Sequence, residues 1–106
     1  MEQLSVRALQ ERLAAPGAPP VILDVREGWE VQHCALPRTT HIPMGQIPDR
    51  ITELQTDQEI VVVCHHGVRS HHVAQFLEQQ GFTRLYNLRG GIDAWAREID
   101  PTMATY

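Results

Sequence analysis

Apolar residues recur along this chain in two rhythms. Short, mainly apolar runs, VILDV (Val21–Val25), EIVVVC (Glu59–Cys64) and RLYNL (Arg84–Leu88), are bounded by turn-forming or polar residues and predict short buried strands. Elsewhere the apolar positions fall three or four apart, which predicts helices. Ser5 is placed to cap a short helix that carries Val6, Leu9 and Leu13 on one face. Ile47, Ile51 and Leu54 define a second helix over Gln46–Gln55, and Val73, Phe76 and Leu77 a third over Ser70–Gln80, with Gly81 as its stop. Ile92, Trp95, Ala96 and Ile99 form the stripe of a last helix that ends before Pro101. THIPM (Thr40–Met44) predicts a brief strand, and Pro43 puts it at an edge or an end. REGWEVQHC (Arg26–Cys34) reads as a loop and a helical turn, and APGAPP (Ala15–Pro20) as a loop.

Strands that alternate with helices, and are apolar throughout, indicate an α/β fold with a mostly parallel sheet covered on both faces. Ligands in such folds bind beyond the carboxyl ends of the strands. Cys64 ends the clearest strand and therefore falls where this class of fold does chemistry.

Composition narrows the picture. A chain of 106 residues, 42% hydrophobic and 21% charged, fits one domain spanning residues 1–106. A net charge of −4 argues against nucleic acid or an anionic membrane as partner. No apolar stretch approaches a membrane span, and MEQLSVRALQ lacks the pattern of a signal peptide, so the expected location is cytoplasmic. Cys34 and Cys64 are too few for a disulfide framework and suit a reducing compartment.

The stretch CHHGVRS (Cys64–Ser70) carries the chemistry. Gly67 allows the backbone to turn, and the loop amides can point inward with the positive end of a helix dipole behind them. Arg69 adds a permanent charge with planar donors. This setting favours thiolate over thiol and suits a small anion. The plainer alternative is a free cysteine that merely closes a buried strand.

Three segments bear a family resemblance. Cys64-His65-His66-Gly67-Val68-Arg69-Ser70 resembles the active-site loop of the rhodanese family. LDVREGWEV (Leu23–Val31) is similar to its first signature, and LRGGIDAW (Leu88–Trp95) to its closing element. The resemblance implies a single rhodanese-like domain, an open sheet of four or five strands with helices on both faces. It implies sulfur transfer through a persulfide on Cys64, from thiosulfate or a similar anionic donor to cyanide or a thiol, with no cofactor or metal. A protein that donates or accepts persulfide is a further implied partner, and a persulfide relay module is the alternative function. Carried over by position, His65, His66, Gly67, Val68 and Arg69 form the cradle, and Ser70 begins the helix. Asp24, Arg26 and Glu30 support the site, with Arg26 expected to pair with Glu30. Phosphatases and arsenate reductases of this fold are the weaker relatives: the phosphatase loop is longer than the four residues found here between cysteine and arginine.

The chain departs from the family pattern at CALPRT (Cys34–Thr39), where Arg38 replaces a glycine in a loop expected to border the pocket, and at Val31, where an aromatic is usual. His65, His66, His71 and His72 cluster without a metal-binding motif; His65 and His66 are expected instead to add partial positive charge, and His71 and His72 to face solvent or pack locally. Cys34 reads as a bystander rather than a resolving thiol. Trp95 belongs to the core, and Trp29 reads as pocket wall or packing anchor. The tail, residues 100–106, either frays or docks Tyr106.

Overall fold

A computed structural model describes residues 1–106. The elements run β1 (Glu2–Leu4), α1 (Val6–Ala14), β2 (Val21–Asp24), α2 (Gly28–His33), β3 (Thr40–His41), α3 (Ile47–Arg50), β4 (Ile60–Val63), α4 (Val68–Gln79), β5 (Leu85–Leu88) and α5 (Gly91–Glu98). The five strands are all parallel, in the order β1-β5-β4-β2-β3. The α/β expectation is met, at the upper strand number.

Alternation along β4 divides the core. Ile60 and Val62 face a layer with Leu23, Ile47, Val73 and Leu77, under α3 and α4. Val61 and Val63 face the other way, onto Leu9, Leu88, Ile92 and Trp95, under α1 and α5. Because both faces are covered, all four β4 residues are fully buried, which is why this segment reads as an unbroken apolar run.

The chain leaves β2 toward β3 at one edge and leaves β4 toward β5 in the opposite direction. The order therefore reverses between β2 and β4, the position beyond whose carboxyl ends open parallel sheets bind their ligands. The segments that follow these two strands, from Val25 and from Cys64, meet there.

Ser5 caps α1 as expected, its hydroxyl accepting from the Ala8 N–H at 3.1 Å. Gly81, at φ +97°, ends α4. Other boundaries differ. The Gln46–Gln55 helix is broken into α3 and two flanking 3₁₀ turns, Met44–Gln46 and Ile51–Glu53. Arg50 leaves helical geometry at φ −115°, ψ 11°, and its guanidinium bonds both Gln46 and Glu53. Ile47 and Leu54 still reach the core. β1 had no apolar signal, since only Leu4 of its three residues is buried. α4 begins at Val68 rather than Ser70, which puts Arg69 in its first turn. α2 begins at Gly28 and takes in Trp29, within the stretch that reads as loop and helical turn.

Candidate active site

Cys64 lies one residue past β4 and is buried. Gly67, at φ +101°, folds the chain back so that its own N–H reaches the Cys64 Sγ at 3.1 Å. A side chain at Gly67 would be strained by that φ and would crowd Leu88 O and Gly90 N at 3.3 Å. The Ser70 hydroxyl approaches the same sulfur at 3.2 Å.

The loop is held by its carbonyls as well. The Ile92 and Asp93 amides, at the start of α5, donate to Cys64 O and His65 O at 2.9 and 3.1 Å. This approach explains the Gly90-Gly91 pair. A Cβ on Gly91 would lie 2.5 Å from Cys64 O and closer still to His65 O, and Gly91 itself has φ +61°.

A buried polar chain runs behind the sulfur. The Asn87 side-chain amide donates to Gly67 O at 3.1 Å and to Gln3 Oε1 at 3.0 Å, which turns its carbonyl oxygen toward Ser70. The Ser70 hydroxyl donates to that oxygen. A hydroxyl has one proton, so the link between Ser70 and sulfur is made by the Cys64 thiol as donor. If the sulfur is ionised, the Ser70 hydroxyl can rotate to turn its proton from Asn87 to the sulfur. Sequence reasoning missed Asn87. Its available signal was a polar residue in an apolar strand that ends beside the cysteine.

A match to the family model for the rhodanese-like domain extends over residues 5–98. The chain belongs to the rhodanese family. It is similar to a sulfurtransferase of Allochromatium vinosum, 36% identical over 104 residues that cover 98% of this chain and 96% of the relative. It is also similar to the thiosulfate sulfurtransferase GlpE of Actinobacillus pleuropneumoniae, 32% identical over 85 residues, or 80% of this chain and 79% of the relative. Among solved structures, a rhodanese-like domain protein from Staphylococcus aureus superposes with a TM-score of 0.86 at 30% identity, covering 100% of this chain and 99% of that one. These relationships support a transferase role in sulfur transfer.

Within this rhodanese site the charged residues pair differently from the expectation. Arg26 does not pair with the Glu30 carboxylate. Its Nε donates to both Asp24 oxygens at 3.0 and 3.2 Å, and its Nη2 to Oδ2 at 2.8 Å, in a fully buried ion pair. Burial opposes the arginine's charge most strongly. Hydrogen bonds to Asp24 and Tyr106 outweigh burial, so the Arg26 pKa is raised. Only the backbone carbonyl of Glu30 meets Arg26, at 3.3 Å. Arg26 precedes α2, separated from it by Glu27 alone, and its guanidinium is aimed at nearby Asp24 instead.

The Glu30 carboxylate faces Arg69, whose Nη1 and Nη2 donate to its two oxygens, each at 2.8 Å. The Glu27 N–H and the Tyr106 hydroxyl also donate to it, at 2.8 and 2.9 Å. The Arg69 hydrogen bonds, acting against burial, hold the Glu30 pKa down to about 2. In turn Glu30 raises that of Arg69.

His65 contributes less charge than expected. The His65 ring is sandwiched between His66, 3.9 Å away, and Tyr106, 3.8 Å away. Burial, then the neighbouring His66, lowers its pKa. His65, His66 and Asp93 bring ligand-type atoms within 4.8 Å of one another. However, the two imidazoles are stacked at 25°, so their in-plane lone pairs run side by side instead of converging on one ion. His71 lies against Gln3 at 3.3 Å.

CALPRT divides between the two ends of the sheet. Cys34 stays near the site, with its Sγ 3.9 Å from Arg26 Nη1. Arg38 packs beside Pro19 and Pro20, which precede β2, and so does not border the pocket. Its backbone lies in the left-handed region that favours glycine, at φ +59°. Trp29 is 64% exposed on α2, edge-on to Tyr106. Of the two readings of the tail, the structure has the docked one, with the Tyr106 hydroxyl bonded to Arg26 and Glu30.

Proposed function

We propose that this protein moves sulfane sulfur through a persulfide on Cys64, with thiosulfate or a similar small donor loading it and cyanide or a thiol unloading it. The observation that carries this reading is the convergence of the Gly67 amide and the Ser70 hydroxyl on a sulfur at the reversal point of the sheet. In the first half-reaction the Cys64 thiolate attacks the outer sulfur of thiosulfate. The donor's S–S bond breaks and sulfite leaves with its electron pair. In the second, an acceptor thiolate or cyanide attacks the outer sulfur of the persulfide and Cys64 leaves as thiolate. The Gly67 amide and the Ser70 hydroxyl stabilise the sulfur anion at both ends of the cycle.

The reading includes a reducing cytoplasmic setting, consistent with Cys34 and Cys64 both being free. A relay in which a protein delivers the sulfur is the second reading. It is favoured by Val68, on the loop side of α4 and 65% exposed, and by the exposed Trp29. Comparing turnover with thiosulfate and with a protein persulfide separates the two.

Intact-mass measurement after incubation with thiosulfate tests the chemistry. The expected result is a gain of one sulfur, removed by cyanide and absent in Cys64→Ser. No gain with thiosulfate, polysulfide or a protein persulfide overturns the proposal.

A further inference from the structure

We propose that Tyr106 is a positioning residue for sulfur transfer, fixing both ends of the loop that follows Cys64; this rests on the sulfurtransferase reading above. The side chain is docked on two sides. Its hydroxyl accepts from Arg26 Nη1 at 3.0 Å and donates to Glu30 Oε1 at 2.9 Å. Its ring lies flat against His65 at 3.8 Å and 13°. The last turn of chain is tied down independently, because the His33 ring meets Thr105 O at 2.9 Å and packs edge-on to Tyr106.

These contacts fall at the two ends of one short segment. His65 is the first residue after the sulfur. Arg69 is the last before Ser70, and it is held by the carboxylate that Tyr106 also holds. Between them lies Gly67, whose N–H touches the sulfur. Ring and hydroxyl therefore restrain the amide cradle from opposite ends. The hydroxyl must stay protonated, since a phenolate has nothing to donate to Glu30. The Tyr106 pKa is raised to about 12, first by burial, so the group is a neutral phenol throughout the working range.

Arg26 does not need Tyr106 to be paired, because Asp24 and Cys34 O take its other donors. Removal of the hydroxyl alone therefore leaves the buried Arg26–Asp24 pair in place. Its effect falls on Glu30, Arg69 and the loop.

Tyr106→Phe keeps the ring and loses the hydroxyl; Tyr106→Ala loses both. For the phenylalanine variant we expect the single-turnover rate of persulfide formation to fall about three- to tenfold, the scale of one lost hydrogen bond. The donor concentration giving half-maximal rate should be unchanged, and the alanine variant should fall further. In Glu30→Gln, adding Tyr106→Phe should cost less than it does in the wild type, because the hydroxyl acts through that carboxylate. Amide hydrogen exchange supplies a readout that needs no sulfur chemistry. Exchange over residues 65–69 should accelerate about three- to tenfold in Tyr106→Phe, with exchange in β4 unchanged. If loop exchange and loading rate both match the wild type, or if β4 exchange accelerates equally, the inference is overturned. If the wild type takes up no sulfur from any donor, the sulfurtransferase reading fails, while loop exchange still decides whether Tyr106 positions the loop.

Discussion

Glu30 and Arg69 lie 39 positions apart and meet in a two-pronged ion pair, one 2.8 Å hydrogen bond to each carboxylate oxygen. Glu30 is buried on α2, where it forms a reciprocal capping box with Glu27. Arg69 stands in the first turn of α4. The pair fastens the wall built after β2 to the loop built after β4. It also uses both terminal nitrogens of the one arginine in the cradle.

Because Glu30 takes both of its terminal nitrogens, Arg69 is expected to act by bracing the loop. Arg69→Ala is expected to lower turnover efficiency about ten- to a hundredfold, the scale of a lost charge-assisted hydrogen-bond pair. The loss should be equal with thiosulfate and with an uncharged organic persulfide. A loss confined to the anionic donor would instead give Arg69 a direct role in charge recognition.

Glu30 gives the fold an acid-sensitive component. Its folded pKa, about 2, lies below the ordinary 4.5, so its contribution is full above the ordinary value and is lost as pH falls toward the folded one. That contribution is roughly 2–3 kcal/mol. Denaturant melts taken between pH 5 and 2 should show wild-type stability falling more steeply than that of Glu30→Gln. Parallel curves would contradict the assignment.

Ser70→Ala removes the hydroxyl that can turn to the ionised sulfur. Persulfide formation should slow by about tenfold, on the scale of one hydrogen bond to a charged group. Asn87→Leu removes the amide that donates to Gly67 O and the oxygen that accepts from the Ser70 hydroxyl, which should cost about 1–3 kcal/mol of stability. Stopped-flow loading and thermal melting check the two. A Ser70→Ala variant with unchanged loading would remove the hydroxyl from the chemistry.

Gly91→Ala places a methyl against the backbone of Cys64 and His65, where neither neighbour is a flexible side chain. The loop or α5 must shift. We expect loss of most activity together with a lowered melting temperature, and a variant with normal rates would show that the approach is looser than described.

Arg38 occupies a left-handed conformation at the end of the sheet remote from Cys64. Arg38→Gly should relieve about 1 kcal/mol of backbone strain and leave sulfur transfer unchanged. Chemical denaturation measures the gain, and a destabilised variant would mean that the arginine side chain contributes more than its backbone costs.

The layers of this fold were legible from the sequence because they depend on local pattern. Val21–Leu23 and Ile60–Val63 are apolar at successive pleat positions because their strands are covered on both sides, and burial of that kind leaves a run that can be read. The position of Cys64 beyond its strand, the turn at Gly67 and the order of the three family-like segments were legible for the same reason: each is set within a few residues. Partner choice was not. Arg26 lies four residues from Glu30 and two from Asp24, and spacing alone cannot say which carboxylate it meets. The answer came from Arg69, brought across from α4, and from Tyr106, which fills the space between them. Asn87 and Gln3 are polar residues on short strands, and only the parallel pairing of β1 with β5 puts both behind the sulfur. A hydrophobic pattern records which face of an element leaves water. Which polar groups then meet depends on where separate elements come to rest, and that is decided by packing across the whole sheet.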